Sequence, residues 1–92
     1  MPQLFRIGGY IVYLWTNEGL PPEPVHVHIK KGVPSADGTK VWITGSGHAL
    51  LAHNKARIPQ KELLEIMRII EANSERIVKK WQEIFEETRY YC

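Results

Sequence analysis

The chain has 92 residues, of which 43% are hydrophobic and 24% are charged, with 12 lysines and arginines against 10 aspartates and glutamates. This length allows one small domain, and this apolar content excludes an intrinsically disordered chain. The one cysteine, Cys92, excludes a disulfide framework, and no uncharged apolar run approaches the roughly 20 residues of a membrane helix. We therefore expect a soluble cytoplasmic protein.

Short β-rich runs occupy the first part of the chain. Residues 9–15 are aromatic and β-branched, which predicts an inner strand, and turn-forming residues predict a loop over 16–22. Val25 to Lys31 alternates between apolar and polar residues, as a half-buried strand does. Residues 39–44 predict a third strand, and residues 48–53 predict either a fourth strand or a short helical turn.

The remaining part of the chain is helical in pattern, because no glycine or proline follows Pro59 and apolar residues recur at helical spacing. They fall at positions 63, 67, 70, 77, 81 and 84, and the unbroken phase favours one long helix over a helical hairpin that turns at Asn73. A second apolar stripe widens the face, so we expect a second helix to pack there, in a homodimer formed through the C-terminal helix. The last residues, 90–92, are expected to fray.

These elements predict an α+β fold, a small antiparallel sheet of three to four strands with one long C-terminal helix packed across it. We expect a single domain over residues 1–92, with a β-rich part over 1–58 and a helical part over 59–89.

Basic residues are concentrated in the middle of the chain. Residues 26–61 carry six lysines and arginines against one acid, Asp37, and contain all four histidines. Such asymmetry suggests an anionic partner for this stretch. The alternative is that the stretch balances the more acidic helical part, within the chain or between protomers.

The motif "PPEPVHVHIKKG" contains two histidines that are two positions apart. Since alternate residues of a strand point the same way, His26, His28 and Lys30 form a row, with Lys31 beside them. Three interpretations are open: a solvated outward face, a recognition face that offers donors to phosphate or to an acidic protein, and a divalent metal such as zinc on His26 and His28. The metal would need further ligands, for which the candidates are His48, His53 and Glu23. If the row is a recognition face, changing both histidines to alanine should leave folding intact and abolish partner binding.

Catalytic motifs are missing from the sequence. There is no G-x-S-x-G elbow and no H-E-x-x-H helix, and Gly45-Ser46-Gly47 has the composition of a tight turn. We therefore expect a non-enzymatic protein without a cofactor. Two alternatives are kept: a metal- or His-dependent hydrolase of the RNase-toxin type with His26 or His28 as general base, and a DNA-binding regulator. For a single-stranded nucleic acid, Trp42 is one candidate stacking platform.

Four segments together resemble a known family: "EPVHVHI" (23–29), "KVWI" (40–43), "LAHN" (51–54) and "KELLEIMRIIEANSERIVKKWQEIF" (61–85). They are similar to the small bacterial proteins of the DUF4160 family. The resemblance implies an α+β protein without an established activity. It also implies a neighbouring gene for a second small protein, of the DUF2442 family, in pairs suspected of being toxin–antitoxin-like modules.

From the residues and the resemblance together we expect a small binding protein that is one member of such a two-gene module. Its partner is the small protein from the adjacent gene or a nucleic acid, with no membrane partner. The predicted binding residues are His26, His28, Lys30, Lys31, Lys40 and Asn54.

Overall fold

The computed structural model describes residues 3–15 and 23–92, so the loop predicted over 16–22 lies outside the described residues. Five strands and two helices follow one another in the chain. The strands are β1 (Gln3–Ile7), β2 (Tyr10–Tyr13), β3 (His26–Lys31), β4 (Thr39–Ile43) and β5 (Ala49–His53). The helices are α1 (Gln60–Ala72) and α2 (Ser74–Ile84). The α+β class is confirmed.

The five strands form one antiparallel sheet in the order β1-β2-β3-β4-β5, so each strand pairs with its neighbour in sequence. The prediction of three to four strands was wrong, because β1 was missed and the segment at 49–53 is a strand. β1 lies at the edge of the sheet, where its residues are exposed or half-buried, and its register shifts between Gln3 and Phe5. A strand of this kind carries no regular alternation from which it could be recognised.

The hydrophobic core lies on one face of the sheet, between the strands and the two helices. Val27 pairs with Val41, and both are fully buried, as is Ile29. The helices add a continuous buried stripe against this face, formed by Leu63, Ile66, Ile70, Ile77 and Trp81. Burying each such aliphatic side chain contributes about 1.5–3 kcal/mol, so this layer is the main stabilising contact between sheet and helices.

The predicted single C-terminal helix is divided into two at Asn73. This residue has φ −110° and ψ 17°, and its side-chain amide donates a hydrogen bond of 2.7 Å to the Ile69 carbonyl oxygen. An asparagine side chain that bonds the backbone in this way competes with regular helix geometry. The backbone N–H of Asn73 still bonds to Ile69, and that of Ile77 bonds to Asn73. The chain therefore bends at Asn73 without reversing, and the buried stripe continues across the bend.

The end of the chain returns to the sheet, so the prediction that residues 90–92 fray was wrong. The Val25 N–H donates to the Arg89 carbonyl oxygen at 2.8 Å, and the Gly45 N–H donates to the Cys92 carbonyl oxygen at 2.9 Å. Residues 86–92 thus lie across the ends of β3 and β4. Neither described helix has the length and apolar character needed to cross a membrane.

Candidate binding face

The two histidines of the predicted row lie side by side on β3, on the side of the sheet opposite the helix-covered core. Their ring centroids are 5.2 Å apart. The sequence placed them correctly on the face opposite Val27 and Ile29, but the expectation that this face is solvated was wrong. His26 is only 4% exposed and His28 only 6%.

Aromatic rings from other elements bury the histidines. Tyr13 of β2 pairs with His28 and stacks on its ring at a centroid distance of 5.6 Å. Trp42 of β4 pairs with His26 and meets its ring edge-on at 5.6 Å. Trp81 of α2 also meets the His26 ring edge-on, at a centroid distance of 5.3 Å. This contact lies at the beginning of β3, where His26 is the first residue. Such edge and stacked pairs are the favoured geometries of aromatic rings.

Each histidine is fixed by a hydrogen bond from its Nδ1 to a backbone carbonyl oxygen. His26 Nδ1 lies 2.8 Å from the Pro24 oxygen, and His28 Nδ1 lies 3.3 Å from the Gly38 oxygen. Because a carbonyl only accepts, Nδ1 of each ring carries the proton and Nε2 is the unprotonated nitrogen. Gly38 itself has no room for a side chain, since a Cβ there would overlap the Tyr13 hydroxyl oxygen.

Both imidazoles are uncharged at neutral pH. Burial lowers the pKa of His28 to about 4, with smaller contributions from the nearby His26 and Lys40. Burial likewise lowers the pKa of His26 below its usual value, and the charge of Lys40 adds to that effect. A neutral ring that keeps its Nδ1 proton is a hydrogen-bonding and packing group, without the charge expected of a basic recognition row.

The cation of this face is Lys40. Its Nζ lies 4.4 Å from the centroid of the Trp42 ring and forms an ion pair with Glu23. Burial by itself would raise the pKa of Glu23, but the hydrogen bond and the positive charge of Lys40 bring it below its usual value. We call the set Tyr13, His26, His28, Lys40 and Trp42 the His–Trp face.

Lys30 continues the row of His26 and His28 on β3, and the Ser35 residue that it contacts also accepts a hydrogen bond from Tyr13 of the His–Trp face. Lys31 and Asn54 lie apart from this face. Lys30 Nζ donates to the Ser35 hydroxyl oxygen at 2.7 Å, and Lys31 Nζ lies 5.0 Å from the centroid of the Tyr10 ring. Asn54 fixes the loop that precedes α1. Its Oδ1 accepts from the Thr39 hydroxyl at 2.6 Å and from the Ile58 N–H at 3.0 Å, and its Nδ2 donates to the Ile58 carbonyl oxygen at 2.9 Å.

The candidate ligands for a metal do not complete a site with the histidine pair among the described residues, and Glu23, which lies near that pair, is in an ion pair with Lys40. His48 lies beside Glu71, with Nδ1 3.2 Å from the Glu71 Oε1 atom, and is exposed. His53 lies opposite Lys40 on β5. Within residues 3–15 and 23–92, no three histidine, cysteine, aspartate or glutamate side chains are placed to hold a metal ion.

Tyr13, Trp81 and Tyr91 belong to this region and were not predicted. Tyr91 stacks on Trp42 with a centroid distance of 4.9 Å and an angle of 2° between the rings. Tyr13 could have been found from strand parity once the pairing of β2 with β3 was assumed. Position 81 belongs to the predicted apolar stripe of the helix, and no local pattern connects Trp81 or Tyr91 to β3 and β4.

One comparison with known proteins gives a match. The model of a family described as a domain of unknown function, DUF4160, matches residues 9–82. No curated protein and no solved structure matches the chain.

Proposed function

This chain belongs to the DUF4160 family, and from that premise we propose that it is a binding protein, one member of a two-gene module of toxin–antitoxin type. It acts in the cytoplasm and recognises the small protein encoded by the adjacent gene. The contact surface is the His–Trp face, with Trp42 at its centre.

The observation that carries this proposal is the setting of Trp42. Its ring is half-buried, next to the Lys40 cation and a tyrosine ring, on the side of the sheet opposite Val27 and Val41. Tryptophan and tyrosine are the residues that most often dominate protein interfaces, particularly when they are rigidly held. Here the buried His26 and its neighbour His28 form a rigid support beside Trp42.

The hydrolase alternative is less well supported by the chemistry of the same histidines. A general base works best when its pKa lies near the operating pH. His28, with a pKa of about 4, is too weakly basic for this role at neutral pH. The proposal of a DNA-binding regulator has little support in the helices, because their exposed residues mix acids with bases, as at Glu75, Arg76 and Lys79.

The experiment is co-expression with the product of the adjacent gene, followed by copurification and calorimetric titration. Trp42→Ala should weaken the complex by about 30-fold or more, which corresponds to the loss of an interface anchor of about 2 kcal/mol. Leu64→Ala is the matched control, because it removes an apolar side chain that is 50% exposed on α1. Circular dichroism verifies that both variants are folded.

Three results would contradict the proposal. They are the absence of any complex with wild-type protein, equal weakening by the two substitutions, and growth arrest on expression of this chain alone that His28→Ala abolishes. The last result would favour the RNase-type toxin.

A further inference from the structure

The C-terminal segment, residues 86–92, follows α2 and lies outside the part of the chain that matches the family. It is attached to the sheet through its own backbone, since the Arg89 and Cys92 carbonyl oxygens accept from Val25 and Gly45. Carbonyl oxygens at these positions could be supplied by any extended peptide, because the bonds involve no side chain.

The rings of two adjacent tyrosines lie on opposite sides of the backbone of this segment. Tyr91 lies flat on Trp42, whereas the Tyr90 ring lies against Gly45, where a Cβ atom added to the glycine would be 3.7 Å from the ring. Side chains that alternate in this way are typical of extended backbone. The segment therefore presents one ring to the His–Trp face and the next ring to the other side.

Tyr90 lines a groove of about 600 Å³ between the β4–β5 turn and α2, with Gly45, Ser74, Val78 and Gln82 among the other lining residues. Tyr90 remains 41% exposed and Tyr91 remains 57% exposed. The two rings therefore cover the Trp42 platform and the groove only in part.

We propose that this surface is a docking site for an extended peptide segment of the partner that carries two adjacent aromatic residues. One ring stacks on Trp42, the other enters the groove beside Gly45, and the peptide backbone accepts hydrogen bonds from the Val25 and Gly45 N–H groups. The chain's own residues 86–92 occupy the site in the absence of the partner. This inference rests on the proposed function and specifies the chemistry of the partner.

The test uses the full chain and a synthetic peptide with the sequence of residues 86–92 that carries Cys92→Ser. Titration is followed by the indole N–H signal of Trp42 in two-dimensional NMR spectra. Tyr91→Ala weakens the internal competitor, so the peptide should bind this variant about 2- to 10-fold more tightly than it binds wild type, the range given by one aromatic pair. A peptide with both tyrosines replaced by serine is the control and should not bind.

A second variant keeps the test independent of Tyr91→Ala. Gly45 is exposed, and a Cβ at this position would already be in van der Waals contact with the Cys92 carbonyl oxygen at 3.5 Å and with the Tyr90 ring at 3.7 Å. The further side-chain atoms of Gly45→Ile would therefore overlap the bound segment, and this variant removes no aromatic ring. Peptide binding should be lost in Gly45→Ile. Equal affinity of the peptide for wild type, Tyr91→Ala and Gly45→Ile would overturn the inference. It would also be overturned if a single-stranded RNA oligonucleotide displaced Tyr91 from Trp42 and the peptide did not.

Failure of this inference can be distinguished from failure of the proposed function. If the adjacent gene product binds and Trp42→Ala weakens it, but the peptide does not compete, only the docking mode is wrong. If the peptide binds as described and the adjacent gene product does not bind, the docking site stands and the proposed partner is wrong.

Discussion

His28→Ala tests whether the histidine pair is structural, and the structure sets the size of the effect. The ring is 6% exposed, stacks on Tyr13 and bonds through Nδ1 to the Gly38 carbonyl oxygen. Removing it leaves that buried carbonyl without its partner, at about 1–3 kcal/mol, and removes an aromatic pair worth about 0.5–1.5 kcal/mol. We expect the free energy of unfolding to fall by about 2–4 kcal/mol, from a total of about 5–14 kcal/mol for a chain of this length.

The measurement is urea unfolding followed by circular dichroism. With a slope of about 1–1.5 kcal/mol per M, the midpoint should fall by about 2–3 M while the slope stays constant. His48→Ala is the matched control, because the His48 side chain is 69% exposed and its loss should change stability by less than about 0.5 kcal/mol. His28→Phe separates packing from hydrogen bonding, since it keeps a ring against Tyr13 but loses the Nδ1 proton.

The reasoning would be refuted if His28→Ala and His48→Ala had the same midpoint as wild type. That result would restore the expectation, made from the alternation of β3, that both histidines stand in solvent and can be removed without cost to the fold.

Three further predictions concern the same region. The folded-state pKa of His28 lies below its unfolded value, so its contribution to stability is present above pH 6.5 and is lost as the pH falls towards 4. The gap between the two pKa values corresponds to about 3 kcal/mol, so the urea midpoint of the wild type should fall over that pH range and that of His28→Phe should fall less. An equal fall in both proteins would contradict this prediction. Gly38→Ala forces a Cβ atom against the Tyr13 hydroxyl oxygen and should lower the melting temperature by several degrees. Gly9→Ala is the control and should change it little, because Gly9 is exposed and its added Cβ atom would only contact the Lys31 side chain at 3.7 Å. Asn54→Ala removes three hydrogen bonds around the loop before α1 and should destabilise the protein by about 2–3 kcal/mol. The folded fraction of this variant should bind the adjacent gene product as tightly as the wild type does. A loss of binding without a loss of stability would instead place Asn54 in the interface.

The fold class followed from local patterns, and its details did not. Alternation identified β3, and β-branched and aromatic runs identified β2 and β4, because a strand buried on one or both faces must carry those residues. The same argument failed for β1, an edge strand with little buried surface. Helical phase identified the buried stripe but not the break at Asn73, since the stripe runs through the bend unchanged and the Asn73 side-chain bond to Ile69 leaves no trace in the spacing.

The sequence by itself determined which side chains share a face: His26 with His28, Val27 with Ile29, and the apolar residues of the two helices with one another. That information is local, because a strand repeats every two residues and a helix every 3.6. Only the tertiary structure decided what lies against each face. Tyr13, Trp42 and Trp81 come from three other parts of the chain, and they exclude water from the two imidazoles. A pair of histidines expected to be basic and solvated thereby becomes a neutral, buried support beside Trp42.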